Sequence, residues 1–188
     1  MALTAALSVA VMAGCTGGSD PVQTVRPTGT LSPTPSATPS EVAALPTAPA
    51  RPAAMDAAGP AGAAAAASYL MQLYPYVLAT GDLAEWDALS ADTCDFCANT
   101  RAEVQELQAA GLRSVGGISI LSAEGTDLGA NGWHSASVEI DLAPSEDIDR
   151  SGVVHDSNDG GRYTIEMALT WSGAWKVDSA GFSEKPAE

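Results

Sequence analysis

Between residues 61 and 79 the side chains of Tyr69, Leu70, Leu73, Tyr74, Val77 and Leu78 fall at i, i+1, i+4, i+5, i+8 and i+9. At 3.6 residues per turn they form one apolar stripe, which predicts an amphipathic helix. Pro75 lies inside the stripe, so a kink or a looser last turn is expected there. Gly81 reads as the helix stop. Asp82 reads as the N-cap of a second, short helix, with Glu85 three residues on in a capping-box arrangement. That helix turns Leu83, Trp86 and Leu89 inward. A third helix is predicted over about residues 97–110, closed by Gly111, with Val104, Leu107 and Gly111 facing in.

After Gly111 the period falls to two, the mark of half-buried strands. Ile118 and Ile120 flank Ser119, and Ala136, Val138, Ile140 and Leu142 alternate with Ser135, Ser137, Glu139 and Asp141. Val153 and Val154 make a short run. Tyr163, Ile165, Met167, Leu169 and Trp171 alternate with Thr164, Glu166, Ala168 and Thr170, and Trp175 and Val177 continue beyond Ser172-Gly173. Helices first and a strand meander after predict an α+β domain, its N-terminal helices packed on one face of a curved antiparallel sheet. Residues 158–161 read as a hairpin turn. The last hairpin can be read in register. A two-residue loop would set Lys176 across from Leu169 and mix charged and apolar side chains on one face. A one-residue slip reverses every face, so the loop must be odd, and three residues is the shortest common choice. Trp175 is then expected opposite Leu169 or Trp171.

The chain opens on a short apolar run ending in Met12-Ala13-Gly14-Cys15, with small residues immediately before a cysteine. This reads as a lipoprotein signal peptide over residues 1–15, too short to span a bilayer, with Cys15 as the lipidated residue. Nine of the twelve prolines lie in residues 16–60, among Thr, Ser, Ala and Gly. Such a segment cannot bury enough apolar surface to offset its chain entropy, so residues 16–56 are expected to be a disordered spacer, reaching about 40 Å as a coil. Residues 57–184 remain as one domain. From residue 16 to 51 the charges cancel, Asp20 and Glu41 against Arg26 and Arg51, so the formal charge of −15 falls on residues 52–188. A surface that acidic repels phosphates and excludes nucleic-acid binding as the expected function.

Residues 69–89 with Ala79-Thr80-Gly81-Asp82 between two helices, then Cys94-Asp95-Phe96-Cys97, then the closing Trp171-Ser172-Gly173-Ala174-Trp175-Lys176-Val177, together resemble an uncharacterised family of actinobacterial lipoproteins. Their domain is similar to the cystatin-like, cone-shaped fold of nuclear transport factor 2 and the ketosteroid isomerases. The likeness covers most of residues 57–182. It implies a fold and an address at the extracytoplasmic face of the cell membrane, and no activity.

Chemistry-bearing residues are few. Cys94 and Cys97 are the cysteines beyond Cys15. Outside the cytoplasm such a pair is a structural disulfide by default; a redox pair before a helix and half a metal site are the alternatives. His134 and His155 match no zinc spacing with them, and His134 shares the parity of Val138 and Ile140, which marks it as a packed or rim histidine. Asp156-Ser157-Asn158-Asp159-Gly160 hints at a calcium loop, but the glycine comes one residue early and position twelve is Met167. Glu146, Asp147 and Asp149 read as a solvated acidic loop, with loose binding of a cation as the alternative. Isomerase-like cones need a carboxylate and a Tyr or Asp donor in an apolar pocket. Glu139 and Asp141 are predicted to face solvent, while Tyr69, Tyr74 and Tyr76 are within reach of a cavity. No metal or cofactor is expected. The reading is a lipid-anchored, non-catalytic domain that binds a protein partner or a small apolar ligand, with a small isomerase or dehydratase as the alternative.

Overall fold

In the computed structural model, which describes residues 44–184, the first helix opens on Pro60, a residue that needs no donor in the first turn. This helix, α1 (Pro60–Thr80), buries Ala63, Ala66, Ala67, Tyr69, Leu70, Met71, Leu73 and Val77. It remains α-helical through Pro75 where a kink or looser turn was expected. The last turn is held by the Thr80 hydroxyl donating to the Tyr76 carbonyl (2.7 Å) and by Gly81, left-handed at φ 76°, donating its N–H to Val77 (2.8 Å). Just before α1, a 3₁₀ turn at Ala53–Asp56 buries Met55 completely. The folded part therefore takes in the end of the stretch expected to be spacer. Cys15, the expected signal peptide and the expected spacer up to residue 43 lie outside the described residues.

Ahead of helix α2 (Ala84–Leu89), the Asp82 Oδ1 accepts the Ala84 N–H at 3.1 Å. The predicted capping box does not form. Leu83 takes the N-cap position, the second Asp82 oxygen accepts the Tyr76 hydroxyl (2.9 Å), and Glu85 lies 4.0 Å from Arg51 instead. Helix α3 (Asp95–Ala110) starts two residues earlier than predicted because Cys94 caps it, its Sγ accepting the Cys97 N–H. Gly111, at φ 72°, stops α3 as predicted but turns to solvent, leaving Val104 and Leu107 to face in with Cys97 and Thr100.

The strands are β1 (Arg113–Val115), β2 (Ile118–Asp127), β3 (Trp133–Leu142), β4 (Ser145–Ile148), β5 (Val154–Asn158), β6 (Gly161–Trp171) and β7 (Trp175–Glu184). The α+β class stands, with helices on an antiparallel sheet, but the strands divide into two sheets, β2-β3-β6-β7 and β1-β4-β5. Two local expectations are corrected by this division. Residues 158–161 are not a hairpin turn, because β5 pairs with β4 while β6 pairs with β3 and β7; they carry the chain from one sheet to the other. Glu146 and Asp147 are not loop residues either, since β4 finds ladder partners on both sides, in β1 and β5.

The larger sheet turns Ala136, Val138, Ile140, Ile165, Met167, Leu169, Trp175 and Val177 toward α1, all at most 2% exposed. Close approach of helix to sheet requires two glycines. A Cβ at Gly125 of β2 would run into the Pro60 carbonyl, and one at Gly62 would meet the Ala57 carbonyl and the Trp175 ring. The last hairpin has a three-residue loop, Trp171 opposite Trp175 with rings 5.2 Å apart, and Val177 opposite Leu169, as the parity argument requires. One bulge follows. Leu169 pairs with Val177 but Ala168 with Ser179, so Asp178 is the extra residue and the buried parity on β7 switches from odd to even. Ala180 and Phe182 thereby join the inner face.

Candidate functional site

The volume between α1 and the larger sheet is filled with side chains. A pocket of about 460 Å³ lies beside it, where α1 and α3 face the smaller sheet. Helix α1 contributes Tyr74, Pro75 and Leu78, and α3 contributes Phe96 and Glu103, seven residues apart and so on one helix face. The bulge on β7 brings in Phe182. An aromatic wall results: Phe96 lies 4.8 Å from Phe182 and 5.9 Å from Tyr74, and Tyr163 lies 6.4 Å from Phe182, ring centre to ring centre. Facing it, Ser114 of β1 is the Cα partner of Asp147 in β4, and Asp147 the partner of Asp156 in β5. The three form a row across the small sheet on the pocket side.

The electrostatics are one-sided. No Lys, Arg or His lines the pocket, and Glu103, Asp147 and Asp156 enter no ion pair among the described residues. Directly opposed like charges on a sheet face are unfavourable. Burial, then the charges of Glu103 and Asp147, push the Tyr74 phenol up to about 12, so it stays neutral and able to donate. Burial, then Asp147 and Glu106, raise the Glu103 carboxyl above its usual value. A raised carboxyl favours the folded state below the ordinary carboxylate range, and that contribution is lost as pH rises through the raised value. At neutral pH the charge on Glu103 therefore opposes folding. The Ser114 residue is 9% exposed, and its hydroxyl makes no hydrogen bond among the described residues.

Of the residues singled out from the sequence, Cys94 and Cys97 lie at disulfide distance, 2.05 Å, and both are 1% exposed. That burial denies them the accessible sulfur a redox pair needs. His134 packs edge-on against Trp175 at 4.9 Å, its Nδ1 2.9 Å from the Gly132 carbonyl. His155 is exposed, 3.3 Å from Asp149. The Asp149 carboxylate also accepts the Ser151 hydroxyl and the Val153 N–H, which hold its pKa far below the usual range and organise the β4–β5 turn. No three His, Cys, Asp or Glu side chains are set to hold a metal among the described residues. Asp156, Ser157 and Asn158 are strand rather than calcium loop. Asp141 faces solvent beside Arg162 (3.8 Å), as its parity predicts. Tyr69 is core and Tyr76 ties down the end of α1, which leaves Tyr74 as the one of the three tyrosines lining the pocket. Sequence reasoning missed Ser114, Glu103, Tyr163 and Phe182 as pocket residues. Only the Phe96–Glu103 spacing was a usable signal.

Over residues 35–181 the sequence matches a family model described as a family of unknown function, DUF6318. The chain belongs to the DUF6318 family. The expectation of a family without an assigned activity holds for it. No curated protein matches this DUF6318 chain. Among solved structures it is similar to the intermembrane-space region of the chloroplast protein ARC6, at 12% identity and TM-score 0.47, covering 64% of this chain and 92% of that one. It is also similar to an uncharacterised protein with a cystatin-like fold from Caulobacter vibrioides (11% identity, TM-score 0.42, 64% and 88% covered). A third is Aln2 from a Streptomyces species (12%, TM-score 0.40, 63% and 87%).

Proposed function

We propose that this DUF6318 protein is a lipid-anchored domain at the extracytoplasmic face of the cell membrane that binds a small ligand in its pocket without transforming it. The observation that carries the binding reading is the pocket itself. It has the volume of a small-molecule site, aromatic walls and a few convergent polar groups, and it lies beside a core that is otherwise filled. The anchor rests on Met12-Ala13-Gly14-Cys15 and the Pro-rich stretch after it. No helix among the described residues is long and apolar enough to cross a membrane. The net charge of −15 disfavours nucleic acid and anionic lipid surfaces as partners. A second reading, an isomerase- or dehydratase-like enzyme, is favoured by one observation: the raised Glu103 carboxyl beside the neutral Tyr74 phenol.

Two measurements test this. Thermal-shift screening of a small-molecule library should find compounds that stabilise the wild type and leave Gly117→Trp unmoved. A Cβ at position 117 meets only the Ala143 Cβ, at 3.9 Å, so that indole can enter the pocket without displacing the backbone. If every stabilising compound acts equally on both proteins, the pocket is not the site; if a stabilising compound is consumed on incubation, the enzyme reading replaces the binding one. Separately, Cys15→Ser should move the protein from the membrane to the soluble fraction, because a lipid chain is the membrane attachment proposed here. Unchanged membrane retention defeats the anchor.

A further inference from the structure

We infer that the ligand of this pocket is a small organic cation with an apolar body, its charged end held between Asp147 and Asp156 and its body against the aromatic wall. This rests on the binding reading above and names the class of ligand. Three independent features converge on it. First, Asp147 and the solvent-exposed Asp156 are cross-strand partners on the pocket side of a sheet, two like charges directly opposed in a placement that a positive charge between them would relieve. The protein supplies none, since the lining holds no basic residue and neither carboxylate is ion-paired among the described residues. Second, Ser114 continues the same row; the residue is only 9% exposed, it lines the pocket, and its hydroxyl is bonded to no other described residue. That hydroxyl is left for a ligand in the pocket to bond. Third, the opposite wall is built from the rings of Tyr74, Phe96, Tyr163 and Phe182, whose faces carry the negative end of the ring quadrupole and attract cations.

The same features argue against the alternatives. An anion meets three carboxylates. A bare metal ion would find no donor atoms in the rings, and no set of three ligating side chains is poised for one among the described residues. A neutral apolar molecule would leave Ser114 and the acid pair unanswered. A volume of about 460 Å³ admits an alkyl or aryl ammonium with room for its body.

Titration calorimetry of the purified full-length chain with hexylammonium, 1-hexanol and hexanoate tests the class. The cation should bind at least tenfold more tightly than 1-hexanol, and hexanoate should not bind. The double variant Asp147→Asn/Asp156→Asn should lose at least tenfold in affinity for the cation, with no change for 1-hexanol. Removing an opposed charge pair should not unfold the protein, and an unlowered melting temperature for the variant verifies this. If 1-hexanol binds as well as the cation, in a manner abolished by Gly117→Trp, the cation class is wrong while the pocket stands. If the cation fails to bind, or binds the double variant unchanged, the proposal is overturned; the library screen decides independently whether the pocket binds anything.

Discussion

Replacing Trp86 with alanine is expected to destabilise the domain by about 3–5 kcal/mol. The indole is completely buried, and its Nε1–H donates to the Cys97 carbonyl at 3.1 Å. It packs edge-on against Phe96 at 5.8 Å and lies 6.4 Å from Tyr74. Truncation removes that apolar area, leaves a void the three helices cannot all close, and removes the indole bond to a carbonyl that keeps its helical partner. Trp86→Phe separates the terms: it keeps most of the ring contacts but loses the donor, so about 0.5–1.5 kcal/mol is expected. Urea denaturation followed by circular dichroism measures both. A loss below about 1 kcal/mol for the alanine variant would show that the helices repack around the gap. Phe96 and Tyr74 belong to both the Trp86 cluster and the pocket wall, so ligand binding should weaken in the same variant.

Gly125→Ala is expected to cost about 1–3 kcal/mol although it adds a single methyl group. Gly125 lies on β2, with Ala136 its partner on β3, directly beneath the first turn of α1. The added carbon would collide with the Pro60 carbonyl and approach the Ala64 nitrogen at 3.1 Å; both are backbone, so no side-chain rotation relieves the contact. The helix must lift, and the Ala63, Ala66 and Ala67 contacts beneath it loosen together. Gly181→Ala, on β7 of the same sheet, is the control. Nothing lies within 4 Å of its Cβ position, so its effect should stay within about 0.5 kcal/mol. Equal midpoints for the two variants would refute the close-approach argument.

The helices were legible because their signals are local. The stripe at Tyr69–Leu78 spacing and the stops at Gly81 and Gly111 each act within one or two turns. The cap and capping box at Asp82 were not: α2 starts one residue later, with Leu83 at the N-cap, and the Asp82 N–H that Glu85 would accept goes to the Thr80 hydroxyl at 3.2 Å. The final hairpin was also legible. Trp171 and Trp175 are close in sequence, and one buried face suffices to set an odd loop. The turn at residues 158–161 was misread for the opposite reason: its residues have turn chemistry, but the flanking strands pair with partners elsewhere, β4 on one side and β3 on the other.

By itself, then, the sequence determined the three helices and the strands β2, β3, β6 and β7, the buried faces of α1, β3 and β6, the register of the last hairpin and the acidic character of the surface. Each depends on periodicity or composition within a short window. The tertiary structure alone decided the two-sheet division and the pocket that results from it. Ser114, Asp147 and Asp156 become neighbours only because β1, β4 and β5 pair across long separations, and Phe182 faces the pocket only because the bulge at Asp178 reverses the parity that Trp175 and Val177 establish. Strand pairing and bulges answer to the packing of the whole domain, and a chain read in one dimension carries no direct record of which distant carboxylates that packing will set side by side.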